Sequence, residues 1–228
     1  LISGGLVALL VPLIEGQEQE WPLWTYLTLA LGVLLILAFA WWERLTDRRG
    51  RTPLVPPRLF AHPSFTGGTI LALVYFAAFT SIFFTLSLLW QSGLDNTPLA
   101  TGLMLLPFAI GNTIGATRSD QFAARFGRTV LVIGLILLTV GLIALWLILL
   151  LIDPTKLNVW LLLGPLLAAG IGSGLFIAPN TDFIVATVER ADAGAASGVI
   201  GTMQRIGSAI GIAVVGSVLF GTLDFGQA

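Results

Sequence analysis

The chain has 228 residues, of which 56% are hydrophobic and 10% are charged, and its formal net charge is −1. Soluble globular domains carry about 25% charged residues, so a water-soluble fold of this composition would leave too much apolar surface in water. The near-neutral charge gives no reason to expect nucleic acid as a partner. With no cysteine and the single histidine His62, the chain has no disulfide or thiolate site, and a His-based metal site or catalytic triad is disfavoured. We expect no cofactor and no metal.

Six stretches are long and apolar enough to cross the hydrocarbon core of a bilayer, which takes about 20 residues of helix. They are Pro22–Trp42, Ser64–Trp90, Pro98–Thr117, Thr129–Ile152, Val159–Val188 and Gly194–Phe220. A seventh stretch, Leu1–Ile14, is apolar but shorter and lacks the features of a signal peptide. We interpret it as the end of a helix that starts before this sequence. The fold class predicted is an all-α integral membrane bundle fragment of six to seven transmembrane helices.

Basic residues alternate between the segments that join these stretches. One set of alternate segments holds Arg44, Arg48, Arg49, Arg51, Arg58, Arg118, Arg125, Arg128 and Arg190. The only basic residue in the other set is Lys156. One segment of that set, residues 15–20, holds three acidic residues and no basic residue. The positive-inside rule places the basic set in the cytoplasm, and hence the chain in the cell membrane as a multi-pass protein. Tryptophans near the predicted span ends fit an interfacial belt: Trp21, Trp24, Trp41, Trp42, Trp90 and Trp160.

The basic segment at residues 118–128 resembles a motif of the major facilitator superfamily. That family carries Gly, three residues, Asp, Arg, any residue, Gly, Arg between the second and third helices of each half. Arg125, Gly127 and Arg128 match it. Asp120 stands where the family has its glycine, and Ala124 where it has its aspartate, so the acidic partner is displaced or lost. The resemblance implies that these residues form a conformational-switch loop, whereas a cluster that only sets orientation is the alternative.

Further segments resemble the fourteen-helix drug:proton antiporter branch of that family. They are residues 41–44 with 53–60, residues 97–107 and residues 193–198, in the order and at the span boundaries expected for that branch. The resemblance implies that residues 1–42 are a truncated helix plus the second linker helix between two bundles. Residues 43–63 are then a cytoplasmic connector, either a hinge or a surface linker. Residues 64–228 are the C-terminal bundle without its last helix.

Small residues recur four apart in the spans, a spacing that lets helix backbones approach closely in lipid. The predicted packing glycines are Gly111, Gly115, Gly170, Gly174, Gly194 and Gly198, and Gly207 with Gly211 has the same spacing.

Polar residues within the spans are candidates for function, because a charge near the bilayer centre costs at least about 2.5 kcal/mol. Arg205 lies near the middle of its span on a face of small residues, with Gln204 beside it. We expect that face to point into the bundle, with Asp182, near Asn180 on the preceding span, as the candidate partner. The alternatives are an arginine that snorkels to the cytoplasm and an aspartate wetted at a helix end.

The resemblance implies the C-terminal part of a proton-coupled exporter of drugs or other small amphiphilic molecules, which works by alternating access. Its partners are the lipid bilayer, the small-molecule substrate, protons and the missing N-terminal half of the same protein. No cluster of catalytic groups is visible, so we do not expect an enzyme. An importer or exporter of another solute in the same family, and a non-transporting assembly or sensor subunit, remain open.

Overall fold

The computed structural model describes residues 2–16, 22–49, 53–153 and 157–225, with the backbone alone for 14, 15 and 220–225. Seven α-helices follow one another in that part of the chain. They are α1 (Ile2–Glu15), α2 (Leu23–Arg48), α3 (Pro63–Leu88), α4 (Pro98–Phe126), α5 (Thr129–Leu151), α6 (Val159–Val185) and α7 (Ala193–Phe225). Some predictions concern residues outside the described part of the chain, namely Glu18, Glu20, Trp21, Arg51 and Lys156.

The helices confirm the predicted fold class. Six of them, α2 to α7, are long and apolar enough to cross a membrane, and α1 contributes a shorter apolar helix. The described residues contain no β-strand. The chain is therefore a multi-pass α-helical membrane protein.

Three helices extend five or more residues beyond their predicted spans, and α7 does so from Phe220 to Phe225. Helix α4 continues nine residues past Thr117 to Phe126, and α2 continues six residues past Trp42 to Arg48. Apolarity measures only the part of a helix that lies in hydrocarbon, and the charged residues beyond it keep helical geometry. The predicted loop 118–128 is therefore largely helix, and the connector predicted from residue 43 begins as the end of α2.

In its described residues 53–62, the predicted connector is otherwise non-α, as its closely spaced prolines require. A single 3₁₀ turn, Pro57–Ala61, leads into α3. The start of helix α4 is fixed by an N-cap. The Thr97 hydroxyl accepts a hydrogen bond from the Ala100 N–H at 3.3 Å, and Pro98 occupies the first turn.

The tryptophans predicted for the belt differ in exposure, and Trp24 is half-buried. Trp41, Trp42 and Trp160 are 67%, 58% and 76% exposed, as an interfacial belt requires. Trp90 is 3% exposed and lies in a π-helical turn, Leu89–Gly93, at the end of α3. Trp90 therefore packs inside the protein and does not belong to the predicted belt.

The chain divides into two compact units. The first comprises Leu1–Thr85 and Ile184–Ala228, and the second comprises Leu86–Phe183. Within the first unit α1 packs on α2, where a Cβ on Gly32 would lie within 3.0 Å of Leu9 and Ala8 atoms. Helix α3 packs on α7, where a Cβ on Gly207 or Gly211 would collide with the Leu73 or Ala77 carbonyl group. Both helix pairs depend on the absence of a side chain.

Candidate functional site

In the second unit, helix α6 is packed between α4 and α5 with backbone against backbone on both sides. A Cβ on Gly170 or Gly174 would collide with backbone atoms of α4, and one on Gly111 or Gly115 would collide with those of α6. On the opposite side of α6, a Cβ on Gly172 would collide with the backbone of α5 at Gly134 and Leu138. The four predicted packing glycines of this unit therefore lie at helix crossings. A crossing with no intervening side chains can hold α6 close while leaving no interdigitated side chains to impede sliding.

Polar groups lie at this crossing and further along α6. The Ser173 hydroxyl is 3.2 Å from Asn112 Oδ1, so a hydrogen bond joins α6 to α4. Asn180, one of the predicted intramembrane polar residues, is 4% exposed and follows Pro179 in α6. Such hydrogen bonds in lipid are worth about 0.6 kcal/mol on average, so close packing carries most of the specificity here.

The turn between α4 and α5 carries the residues predicted to form a switch loop. Asp120 and Arg125 lie on the last turns of α4, and Gly127 ends that helix with φ 57° and ψ −137°. Side chains disfavour this backbone region, which explains the glycine that the motif requires. The Arg125 guanidinium lies 5.4 Å from the Phe126 ring centroid, and that of Arg128 lies 5.8 Å from the Phe183 ring centroid at the end of α6. Aromatic faces therefore neighbour both arginines.

In the first unit, an ion pair joins the connector to the turn that precedes α7. Arg58 Nε and Nη2 both donate to Asp192 Oδ2, at 3.0 and 2.8 Å, and Nη2 lies 3.8 Å from Glu189 Oε2. We call these three residues the connector clamp. The hydrogen bond and the negative charge of Asp192 raise the pKa of Arg58 above its ordinary value, so the guanidinium stays charged. The Arg58 side chain is 60% exposed, so water and salt screen the pair.

An apolar cluster packs next to the connector clamp and includes Leu59 of the connector. Leu59 in the connector is 2% exposed and Phe65 in α3 is fully buried. They pack with Ile184, Ala196 and Ile200 of α6 and α7. Because the connector is predicted to lie outside the hydrocarbon, burying each large side chain stabilises its position by about 1.5–3 kcal/mol. The cluster therefore fixes the connector more firmly than the screened ion pair does.

The sequence patterns did not predict the connector clamp. Arg58 was assigned only to orientation, and Asp192 was assigned no role, because the two are 134 positions apart in sequence. The available signal was that both flank predicted spans on the same predicted side of the membrane. That signal applies equally to Arg190, so it could not have selected the pair.

The expectation that Arg205 points into the complete bundle stays a prediction, and in the first unit this residue lies away from the α3–α7 contact. Its side chain is exposed on α7, with Gln204 half-buried beside it, and it makes no ion pair within the described part of the first unit. The reason is helix geometry: Gly207, where α7 packs on α3, lies about half a turn away around the helix. Asp182 is exposed on α6 in the second unit. The pairing of Arg205 with Asp182 stays a prediction.

The predicted packing glycines of α7 also differ from those of α4 and α6. Among the described residues, no atom lies within 4 Å of a Cβ built on Gly194, Gly198 or Gly201. Gly194 and Gly198 instead line a cavity of the first unit. In this part of the chain they are open positions and make no helix crossing.

A row of aromatic rings follows α3. Tyr75, Phe79 and Phe83 succeed one another with ring centroids 5.8 and 4.6 Å apart. Next to this row, the Thr80 and Ser208 hydroxyls lie 2.9 Å apart and join α3 to α7. Tyr75 is buried and Phe79 and Phe83 are half-buried, so the row packs largely within the unit.

The described residues contain no group of three or more His, Cys, Asp or Glu side chains that could hold a metal ion. What the geometry defines is a polytopic bundle of closely packed, glycine-bearing helices with a few polar groups within its spans. That combination is typical of membrane transporters.

The chain matches the family model of the Major Facilitator Superfamily over residues 1–212. It therefore belongs to that family, as the motif at residues 120–128 predicted.

Three relatives show the kind of member that it resembles. It is 31% identical over 226 residues to the probable actinorhodin transporter of Streptomyces coelicolor, with 98% of this chain and 39% of the relative covered. It is 32% identical over 223 residues to the puromycin resistance protein pur8 of Streptomyces alboniger, covering 96% of this chain and 42% of the relative. It is 32% identical over 221 residues to the multidrug resistance protein Stp of Mycobacterium tuberculosis, covering 93% and 38%. The chain thus spans about two fifths of the length of these relatives.

Proposed function

We propose that this chain is the C-terminal part of a secondary active transporter that exports drugs or other small amphiphilic molecules in exchange for protons. The observation that carries the proposal is the match of nearly the whole chain to relatives named for antibiotic transport or resistance. The closely packed, glycine-bearing helices support alternating access, in which two bundles rock about a site near the membrane midplane. The chain has no catalytic role in this proposal.

The proposal assigns the parts of the chain as follows. Residues 1–42 contribute the truncated helix and the second linker helix between the two bundles, and residues 43–63 are the cytoplasmic connector. Residues 64–228 are the C-terminal bundle lacking its last helix, in the cell membrane. The turn with Asp120, Arg125, Gly127 and Arg128 acts in the switch between outward-facing and inward-facing states. The connector clamp supports this arrangement, because it holds the connector against the start of α7.

Arg205 has a definite role in the proposal. It is exposed on α7, so it is available to a cavity that the complete transporter forms. Because a charge in lipid is costly, an exposed arginine on a long apolar helix fits a water-filled path better than a lipid-facing surface. We assign it to the substrate or proton path, with Asp182 as its candidate partner.

Efflux of a fluorescent lipophilic cation tests the function. Cells lacking their own exporters express the complete reading frame, and efflux is followed with and without a protonophore. We expect efflux that collapses with the protonophore and falls in Arg205→Ala. It should persist in Arg48→Ala, which removes an exposed arginine from the end of α2.

Three outcomes would contradict parts of the proposal. Well-folded protein without efflux of any amphiphile tested would favour import, another solute or a non-transporting subunit. Unchanged efflux in Arg205→Ala at matched expression would remove that residue from the path. The 228-residue chain by itself should not transport, because the proposal requires two bundles, and robust transport by it alone would overturn the two-bundle mechanism.

A further inference from the structure

A cavity of about 590 Å³ lies within the first unit, and nothing in the proposed transport cycle uses it. Helices α1, α2 and α7 and the connector line it. Its volume is in the range of small-molecule binding sites. Among the described residues of the lining, only Glu43, Arg44 and Thr202 have polar side chains, so the lining suits apolar contents.

The shape of the cavity follows the depth of one membrane leaflet. Along α7 the lining runs from Gly194 in the first turn to Ile206, twelve residues or about 18 Å of helix. Half of the hydrocarbon core is about 15 Å thick. Since the predicted span of α7 begins at Gly194, the cavity would extend from the basic end of that span to about the middle of the bilayer.

The charged groups of the lining lie at one end. Glu43 and Arg44 belong to the last turns of α2, where the basic run begins. Glu43 is 7% exposed, and its Oε2 accepts a hydrogen bond from the Val55 N–H at 2.9 Å, which ties the connector to the rim. The Arg44 side chain is exposed and has no ion-pair or hydrogen-bond partner among the described residues. One cation is thus available where the predicted cytoplasmic headgroups lie.

We propose that this cavity binds one phospholipid of the cytoplasmic leaflet, with an acyl chain between α2 and α7 and the phosphate on Arg44. The apolar lining suits the acyl chain of the lipid, and the cavity is about as long as an acyl chain that spans one leaflet. The Arg44 guanidinium suits the lipid phosphate. The lipid would fill the space between the linker helices and the bundle helix α7. The proposal concerns a site on the linker side and does not depend on the direction or substrate of transport.

Two matched pairs of variants test the site. Gly198→Leu places a side chain in the cavity, whereas Gly201→Leu, on the same helix, points to open space outside the lining. Arg44→Gln removes the proposed phosphate ligand, whereas Arg48→Gln removes an arginine one turn further along α2 that does not line the cavity. If Gly198→Leu fails to fold, Gly194→Leu, also open and lining the cavity, replaces it.

The measurement is native mass spectrometry of the purified full-length protein with added dioleoyl phosphatidylglycerol. We expect one retained lipid that is lost in Gly198→Leu and kept in Gly201→Leu. Arg44→Gln should weaken retention about fivefold, from about 1 kcal/mol per basic residue near the headgroups, and Arg48→Gln should not. Excess glycerol phosphate should not displace the lipid, because the acyl chain holds it. No retained lipid, equal loss in both glycine variants, or displacement by glycerol phosphate would overturn the proposal.

Discussion

Replacing Gly115 by alanine, compared with the same replacement at Gly102, should isolate the contribution of close helix packing to stability. A Cβ on Gly115 would lie within 3.0 Å of the Ile171 carbonyl group and 3.1 Å from Gly174 Cα, all of them backbone atoms of α6. Backbone cannot rotate away as a side chain can, so α4 and α6 must move apart. Gly102, on the same helix, has no atom within 4 Å of its Cβ position among the described residues.

The magnitude follows from the comparison of the two variants. Alanine gains about 1 kcal/mol over glycine in a helix interior, and both variants receive that gain. Overpacking costs about 1–3 kcal/mol, and only Gly115→Ala incurs it. The two variants should therefore differ by about 1–3 kcal/mol in the free energy of unfolding, or roughly 5- to 150-fold in the folding equilibrium.

The assay is unfolding of the purified protein in mixed micelles titrated with sodium dodecyl sulfate. The same comparison can be repeated on α7, where Gly207 meets the Leu73 carbonyl group and Gly201 is open. Equal stability of Gly115→Ala and Gly102→Ala would refute the reasoning, because it would mean that the α4–α6 crossing absorbs a methyl group at no cost.

Three further predictions concern single contacts. Gly127→Ala should destabilise the protein by about 1–3 kcal/mol in the same assay, because φ 57° is strained for a residue with a side chain; a neutral effect would mean that the turn adapts. The double-mutant cycle of Thr80→Val and Ser208→Ala should give a coupling free energy of about 0.6 kcal/mol and no more than about 1.7, measured by micellar unfolding. Arg58→Asp should speed protease cleavage of the connector, and Arg58→Asp with Asp192→Arg should restore resistance. Because the Arg58 side chain is exposed, added salt should speed cleavage of the unmodified protein, and a salt-independent rate would contradict the connector clamp.

Sequence patterns predicted the features that depend on local chemistry. Hydropathy found the six spans because each must satisfy its own backbone in lipid, and the motif at residues 120–128 identified the family. Hydropathy could not locate the ends of α2 and α4, since helix continues where lipid ends. Sequence patterns could not predict the connector clamp, because Arg58 and Asp192 come together only when α3, α6 and α7 are packed.

The glycine pairs show where a sequence pattern stops being informative about packing. Gly111/Gly115 and Gly194/Gly198 have the same spacing, yet the first pair lies against α6 and the second lines a cavity. Small residues four apart make a helix face that permits close approach, but they do not specify which neighbour fills the space. At the crossing of α4 and α6 both helices carry glycines, so the two backbones are in direct contact and leave no space for a lipid. The cavity beside Gly194 and Gly198 is also lined by Phe39, Ala40 and Val55, and it has room for an acyl chain. The same small-residue spacing can therefore build either a fixed crossing or a lipid-sized opening, and the residues on the opposing element decide between them.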